Sequence, residues 1–154
     1  MNLEKDIESV GREVLGLLGT SAFSSCLTSI TTEKGDDFTL PVFAARKYGW
    51  ASIEAELPAV YVMGLREELI RDDGKGRWIW FKFAIEVYDT GADAEELEMK
   101  LNRYARALSE TLIANYPDDG IIQTIEYSPV FKHEDSLFKV CSMQFNLKVF
   151  QDIT

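Results

Sequence analysis

The chain has 154 residues, 46% hydrophobic and 27% charged, with 26 acidic against 16 basic side chains and a formal net charge of -10. A chain of this length makes one domain and removes about two-thirds of its unfolded surface from water, which excludes a disordered chain or one dependent on staples. The acidic balance, with no Lys/Arg stripe, excludes a generic nucleic-acid binder, because phosphates would repel it.

The first residues, Met1-Asn2-Leu3-Glu4-Lys5-Asp6, are polar and acidic and do not read as a signal peptide; no uncharged apolar run approaches a membrane span. Cys26 and Cys141 read as ordinary reduced thiols, and nothing in the sequence asks for a bridge between them. The apolar residues Leu3, Ile7, Val10, Val14 and Leu17 predict a helix over residues 2–18, closed by Gly19. Gly11 and Gly16 each lower its propensity by up to about 1 kcal/mol against Ala, so packing must hold it.

Residues 20–56 read as a less regular segment. Residues 20–32 carry no charge and eight Ser/Thr, which suits a loop or irregular strand. Residues 37–43 suit a short edge piece, since Pro41 fits poorly in a central strand. Arg46-Lys47-Tyr48-Gly49-Trp50 reads either as a loop whose aromatics close over the core or as a partner-binding segment.

Residues 57–64 predict a strand entered through Pro58, and residues 77–89 predict the clearest strand in the chain. There Ile79, Phe81, Phe83, Ile85 and Val87 alternate with Lys82, Ala84 and Glu86. Asp72-Asp73-Gly74-Lys75-Gly76 is a turn signal, so residues 64–77 form a charged hairpin arm. A second helix follows over residues 93–115, with Leu97, Leu101, Tyr104, Leu108 and Leu112 as its stripe and Asp93 with Glu96 as a variant capping box. Strands over residues 121–128 and 137–151 close the chain. The predicted fold is α+β in a single domain, residues 1–154. It is a four-stranded, mainly antiparallel sheet with two helices on one face, in the order α-β-β-α-β-β.

The polar residues supply no catalytic kit. His133 is the only histidine and lies in an acidic turn, and the two cysteines form no paired ligand motif. The turns Asp72-Asp73-Gly74 and Asp118-Asp119-Gly120 lack the ligand alternation of a calcium loop. No glycine pattern follows a strand as a phosphate loop requires, and no carboxylate pair is set apart for acid/base work. The reading is non-enzymatic, without cofactor or metal.

The sheet's second face is more informative. Trp78 and Trp80 fall opposite the Ile79/Phe81/Phe83 side, and Phe138, Val140 and Phe150 repeat this on the last strand. Either residues 20–56 fold back over that face, or another subunit covers it.

These features together resemble the tail terminator (tail completion) proteins of long-tailed bacteriophages and related phage neck proteins. The resemblance is carried by residues 3–18 and 57–150: the first helix, the strand Leu57-Pro58-Ala59-Val60-Tyr61-Val62, the strand around Trp78 to Tyr88, the second helix and the closing strand pair. It implies a ring, of six subunits in the family, that caps the tail tube at its head-proximal end and joins it to the head. It further implies self-association, partnership with the tube protein and head/neck connectors, DNA only as a passing repelled polymer, and no membrane. The place of action would be the virion tail or neck, after assembly in the bacterial cytoplasm. Trp78, Trp80, Phe138, Val140, Asp72 and Arg77 become the interface candidates under this resemblance. The 20–56 segment departs from a minimal terminator. The alternative is a small soluble adaptor or ligand-binding module with a cleft between the sheet and that segment.

Overall fold

Helix α1 (Ile7–Leu17) begins at Asp6, whose carboxylate accepts the Ser9 N–H at 2.7 Å, in a computed structural model that describes residues 6–38, 40–49 and 56–152. Leu3, part of the expected stripe, lies outside the described residues. The buried row is Val10, Val14 and Leu18 rather than one ending at Leu17. The helix backbone comes close to the sheet at Gly11, where a Cβ would meet the Tyr48 ring at 2.4 Å and Phe83 at 3.0 Å. The glycine that weakens the helix thus permits the packing that holds it.

The expected loop at residues 20–32 is a correction: it is helix α2 (Ser21–Lys34). Phe23, Leu27 and Ile30 recur at helical spacing and are buried. The hydroxyls that suggested a loop bond back to the preceding turn, Thr28 to the Ser24 carbonyl and Thr32 to the Thr28 carbonyl, at 3.1 and 3.2 Å. Gly35, at φ 69°, ends the helix in the left-handed conformation.

The four-stranded sheet and the α-β-β-α-β-β order are also corrected. Among the described residues there are three helices and a six-stranded sheet: β1 (Ala45–Tyr48), β2 (Ala59–Asp72), β3 (Gly76–Gly91), α3 (Ala94–Asn115), β4 (Gly120–Tyr127), β5 (Phe131–His133) and β6 (Ser136–Asp152). The spatial order is β1-β2-β3-β6-β4, with β5 also paired to β6. An edge strand lies at β1, parallel to β2, while the described residues among 37–43 are not strand. Strands of four and three residues are too short to show a period, and β1 is recruited by pairing with β2. Trp50, from the aromatic and basic cluster, lies outside the described residues. Tyr48 of that cluster packs inward, with the Arg12 guanidinium 5.2 Å from its ring centre.

β3 is the central strand, antiparallel to β2 on one side and to β6 on the other along its whole length. Its Ile79, Phe81, Phe83, Ile85 and Val87 are buried with Cys141, Met143, Phe145 and Leu147 of β6. α1 and α3 pack on this face, and α2 packs on α3. Asp93 caps α3 by accepting the Glu96 N–H at 2.8 Å, while Glu96 accepts from Ala92 at 3.0 Å. The stripe Leu97, Leu101, Tyr104, Leu108 and Leu112 is buried to the last member.

Among the described residues three charged side chains are buried, Asp89, Arg103 and Lys139. Lys139 is tied to Glu98 at 2.9 Å and to the Ser128 carbonyl at 2.7 Å. Its cross-strand neighbour Asp89 accepts the Thr90 N–H at 2.8 Å and lies 3.9 Å from the Lys100 ammonium. Burial pushes the Asp89 carboxyl above its ordinary range, outweighing that hydrogen bond and the Lys100 charge. A raised value means that the contribution of Asp89 is fullest at low pH and is lost as pH rises through it. The stability of Asp89→Asn relative to wild type is therefore expected to rise from acid to neutral pH in urea titrations; a relative stability that falls with pH would contradict this. Asp36 works in the opposite sense. Its bond from Arg103 holds its carboxyl below the ordinary range, so that stabilisation is lost as pH falls.

Candidate assembly interface

The even positions of β3 and β6 face away from α1 and α3. The described part of residues 20–56 does not cover them. Phe43 stacks between Phe23 and Tyr104, at 5.1 and 4.9 Å, and the Tyr104 hydroxyl donates to the Pro41 carbonyl at 2.7 Å. Those contacts keep the described part of the segment on the α3 side. Consecutive residues are buried on both faces of the sheet at residues 59–62 of β2 and 145–147 of β6.

Trp78, Trp80, Phe138 and Val140 all lie on this helix-free face, each half-buried, but not together. Trp78 pairs with Phe150, ring centres 5.2 Å apart, and the Lys148 ammonium lies 5.3 Å from the indole centre. Trp80 lies opposite Lys148 on one side and Glu68 on the other. Phe138 stacks on Phe131 at 5.8 Å, and the Val140 N–H donates to the Ser128 hydroxyl at 2.9 Å. Phe138 and Phe150 are twelve positions apart on one strand, which is about 40 Å of extended chain. The apolar residues thus form two patches at opposite ends of one face.

A polar belt separates the patches. The Gln123 side-chain oxygen accepts from Gln144 at 2.8 Å and from Asn146 at 2.6 Å. Lys82 pairs with Glu68 at 2.9 Å. These side chains satisfy one another within the subunit, so the belt need not be covered.

Asp72 and Arg77, the remaining candidates, have local partners. Asp72 is exposed and accepts the Gly74 N–H at 2.9 Å. The Arg77 Nε donates to the Gln151 side chain at 2.7 Å across the β3–β6 pair. The hairpin turn is only residues 73–75; the expected arm is strand almost to its tip. Asp73 shapes that turn by accepting from Lys75 and Gly76, and these N–H groups hold its carboxyl below the usual range.

Sequence reasoning missed the sheet borders. β1 pairs only with residues 59–62, so residues 63–72 of β2 have no strand on their outer side among the described residues. That border exposes Leu65, Leu69 and Ile70; the opposite border, β4 with β5, exposes Ile121, Ile125, Tyr127 and Phe131. Leucines and isoleucines among Arg and Glu in 65–71 were the available signal.

Among the described residues no three His, Cys, Asp or Glu side chains gather in a metal-binding group. Cys26 and Cys141 are both free thiols, and burial pushes Cys141 up to about 12, which suppresses the reactive thiolate. His133 is exposed in β5 beside the Phe138 ring.

No protein-family model matches the sequence, and no curated protein matches it. Among solved structures, the chain is similar to a chain from the virion of a native gene transfer agent particle. The match covers 90% of this chain and 92% of that one, at 13% identity and a TM-score of 0.39.

Proposed function

We propose that the chain is a phage or prophage virion structural subunit of the tail-terminator type, which closes head-to-tail into a ring at the head-proximal end of the tail tube. One observation carries this reading: the sheet ends in two different open borders, and its helix-free face bears two different apolar patches. A ring needs two unlike surfaces on each subunit that meet after a fixed rotation. An exposed strand border with apolar side chains is a template for another strand, and monomers normally blunt it. The β2 border of one subunit laid along the β4–β5 border of the next would bury both. Trp78, Trp80, Phe138 and Val140 would then flank the joint. Six copies, the tube protein and head/neck connectors as neighbours, and a place in the virion tail or neck belong to the same reading. A net charge of -10 per subunit suits a ring through which DNA passes without sticking.

The test is electron microscopy of the wild type beside a Leu65→Lys/Leu69→Lys variant. Both leucines are more than half exposed, so the variant's stability should stay within about 0.5 kcal/mol of wild type. Wild-type rings that disappear in the folded variant are the expected result. Rings that persist would remove the β2 border from the interface, and a wild type without rings would contradict the reading.

A further inference from the structure

We propose that the two open borders meet as an antiparallel strand pair in one fixed register, with Tyr127 of one copy opposite Leu69 of the next and Glu126 opposite Arg71. The pairing rests on the head-to-tail reading above and adds a direction and a register to it. The direction follows from topology. β2 runs antiparallel to β3, β3 to β6 and β6 to β4, so β2 and β4 point opposite ways within one subunit. Rotation about a ring axis keeps each strand's sense along that axis. β4 of the next copy therefore arrives antiparallel to β2.

β1 sets the register. It already occupies the outer side of β2 at residues 59–62, so an incoming strand begins at Met63. β4 and β5 lie end to end along β6, as far as His133 opposite Ser136. Setting His133 beside Met63, and skipping the irregular positions Leu65 and Ile70, brings Phe131 to Arg66, Tyr127 to Leu69 and Glu126 to Arg71. The faces agree in this register. Tyr127 and Leu69 share the helix side with their partners Cys141 and Ile79, while Glu126 and Arg71 share the helix-free side with Ser142 and Trp78. Tyr127 is 39% and Leu69 58% exposed, apolar area that a cross-strand pair would cover. Glu126 and Arg71 are exposed too, and neither makes a salt bridge among the described residues. Arg71 stands near Asp73, whose carboxylate already accepts from the Lys75 and Gly76 N–H groups. A slip of two positions toward β1 would set Glu126 against Glu68 and push His133 onto β1. A slip of one would turn Tyr127 to the other face.

The test uses the full chain with paired cysteines. Oxidised Leu69→Cys/Tyr127→Cys should give a ladder of covalent multimers on a non-reducing gel, because directly opposed Cβ atoms lie about 5 Å apart. Leu69→Cys/Ile125→Cys, a diagonal pair about 7 Å apart, should bridge at least about tenfold more slowly. The single variants keep Cys26 and Cys141 and read the background. Arg71→Glu should raise the concentration at which rings dissociate at least about tenfold, and adding Glu126→Arg should restore it. Circular dichroism checks that each variant is folded. Rings in the wild type with faster bridging through Ile125, or no recovery in the charge exchange, would overturn the register and leave the ring standing. A wild type without rings would contradict the ring reading and this pairing with it.

Discussion

Trp80→Glu is expected to leave the subunit folded and to abolish its assembly. Trp80 lies on the face that α1 and α3 do not touch, half-buried by its strand neighbours. In the isolated subunit a carboxylate there would stand opposite Lys148 on one side and opposite Glu68, itself paired with Lys82, on the other, with water within reach. Its cost to folding should be small. Beneath a second subunit the same carboxylate loses its water, and an unpaired buried charge costs about 3–5 kcal/mol. That is enough to dissolve a ring held by interfaces of ordinary size. Light scattering during size-exclusion chromatography reads the assembly, and circular dichroism reads the fold. Persistent rings would exclude Trp80 from the interface, and loss of the folded signal would assign Trp80 to the core.

Phe83→Ala should act in the opposite manner, through the subunit itself. Phe83 is fully buried at the centre of β3, faces Phe145 across the strand pair and supports α1 at Gly11. Truncation removes the ring and leaves a cavity that rigid neighbours fill only in part, a loss of about 3–5 kcal/mol. Domains have only about 5–15 kcal/mol to lose. Because α1 rests on this ring, its release should accompany the loss. Urea denaturation gives the number, and hydrogen exchange of α1 amides gives the local effect. Phe131→Ala, on an exposed ring, is the control and should change subunit stability far less. A loss at Phe83 below about 1.5 kcal/mol would contradict this account of the core.

How much of this was legible in the sequence depended on the range of the forces involved. α3, β3 and the long β6 were legible because each buries one face against its neighbours, which prints a period of 3.6 or 2 over many residues. α2 was not, because eight hydroxyls masked the spacing of Phe23, Leu27 and Ile30, and their back-bonding to helix carbonyls leaves no pattern in sequence. β1 and β5 exist through their partners β2 and β6 and are too short to carry a period. The helix-free face was legible as alternation, so Trp78, Trp80, Phe138 and Val140 were placed on the correct side. Their division into two patches depends on the β3–β6 register, which joins residues some sixty positions apart.

The most direct measurement is the mass of the purified wild-type chain in solution over a wide concentration range, by sedimentation or native mass spectrometry. Two unlike borders predict one closed species at a fixed multiple of 17.5 kDa greater than two, six for a terminator ring. A 17.5 kDa particle at every concentration, or a dimer that grows no further, would contradict the head-to-tail assembly.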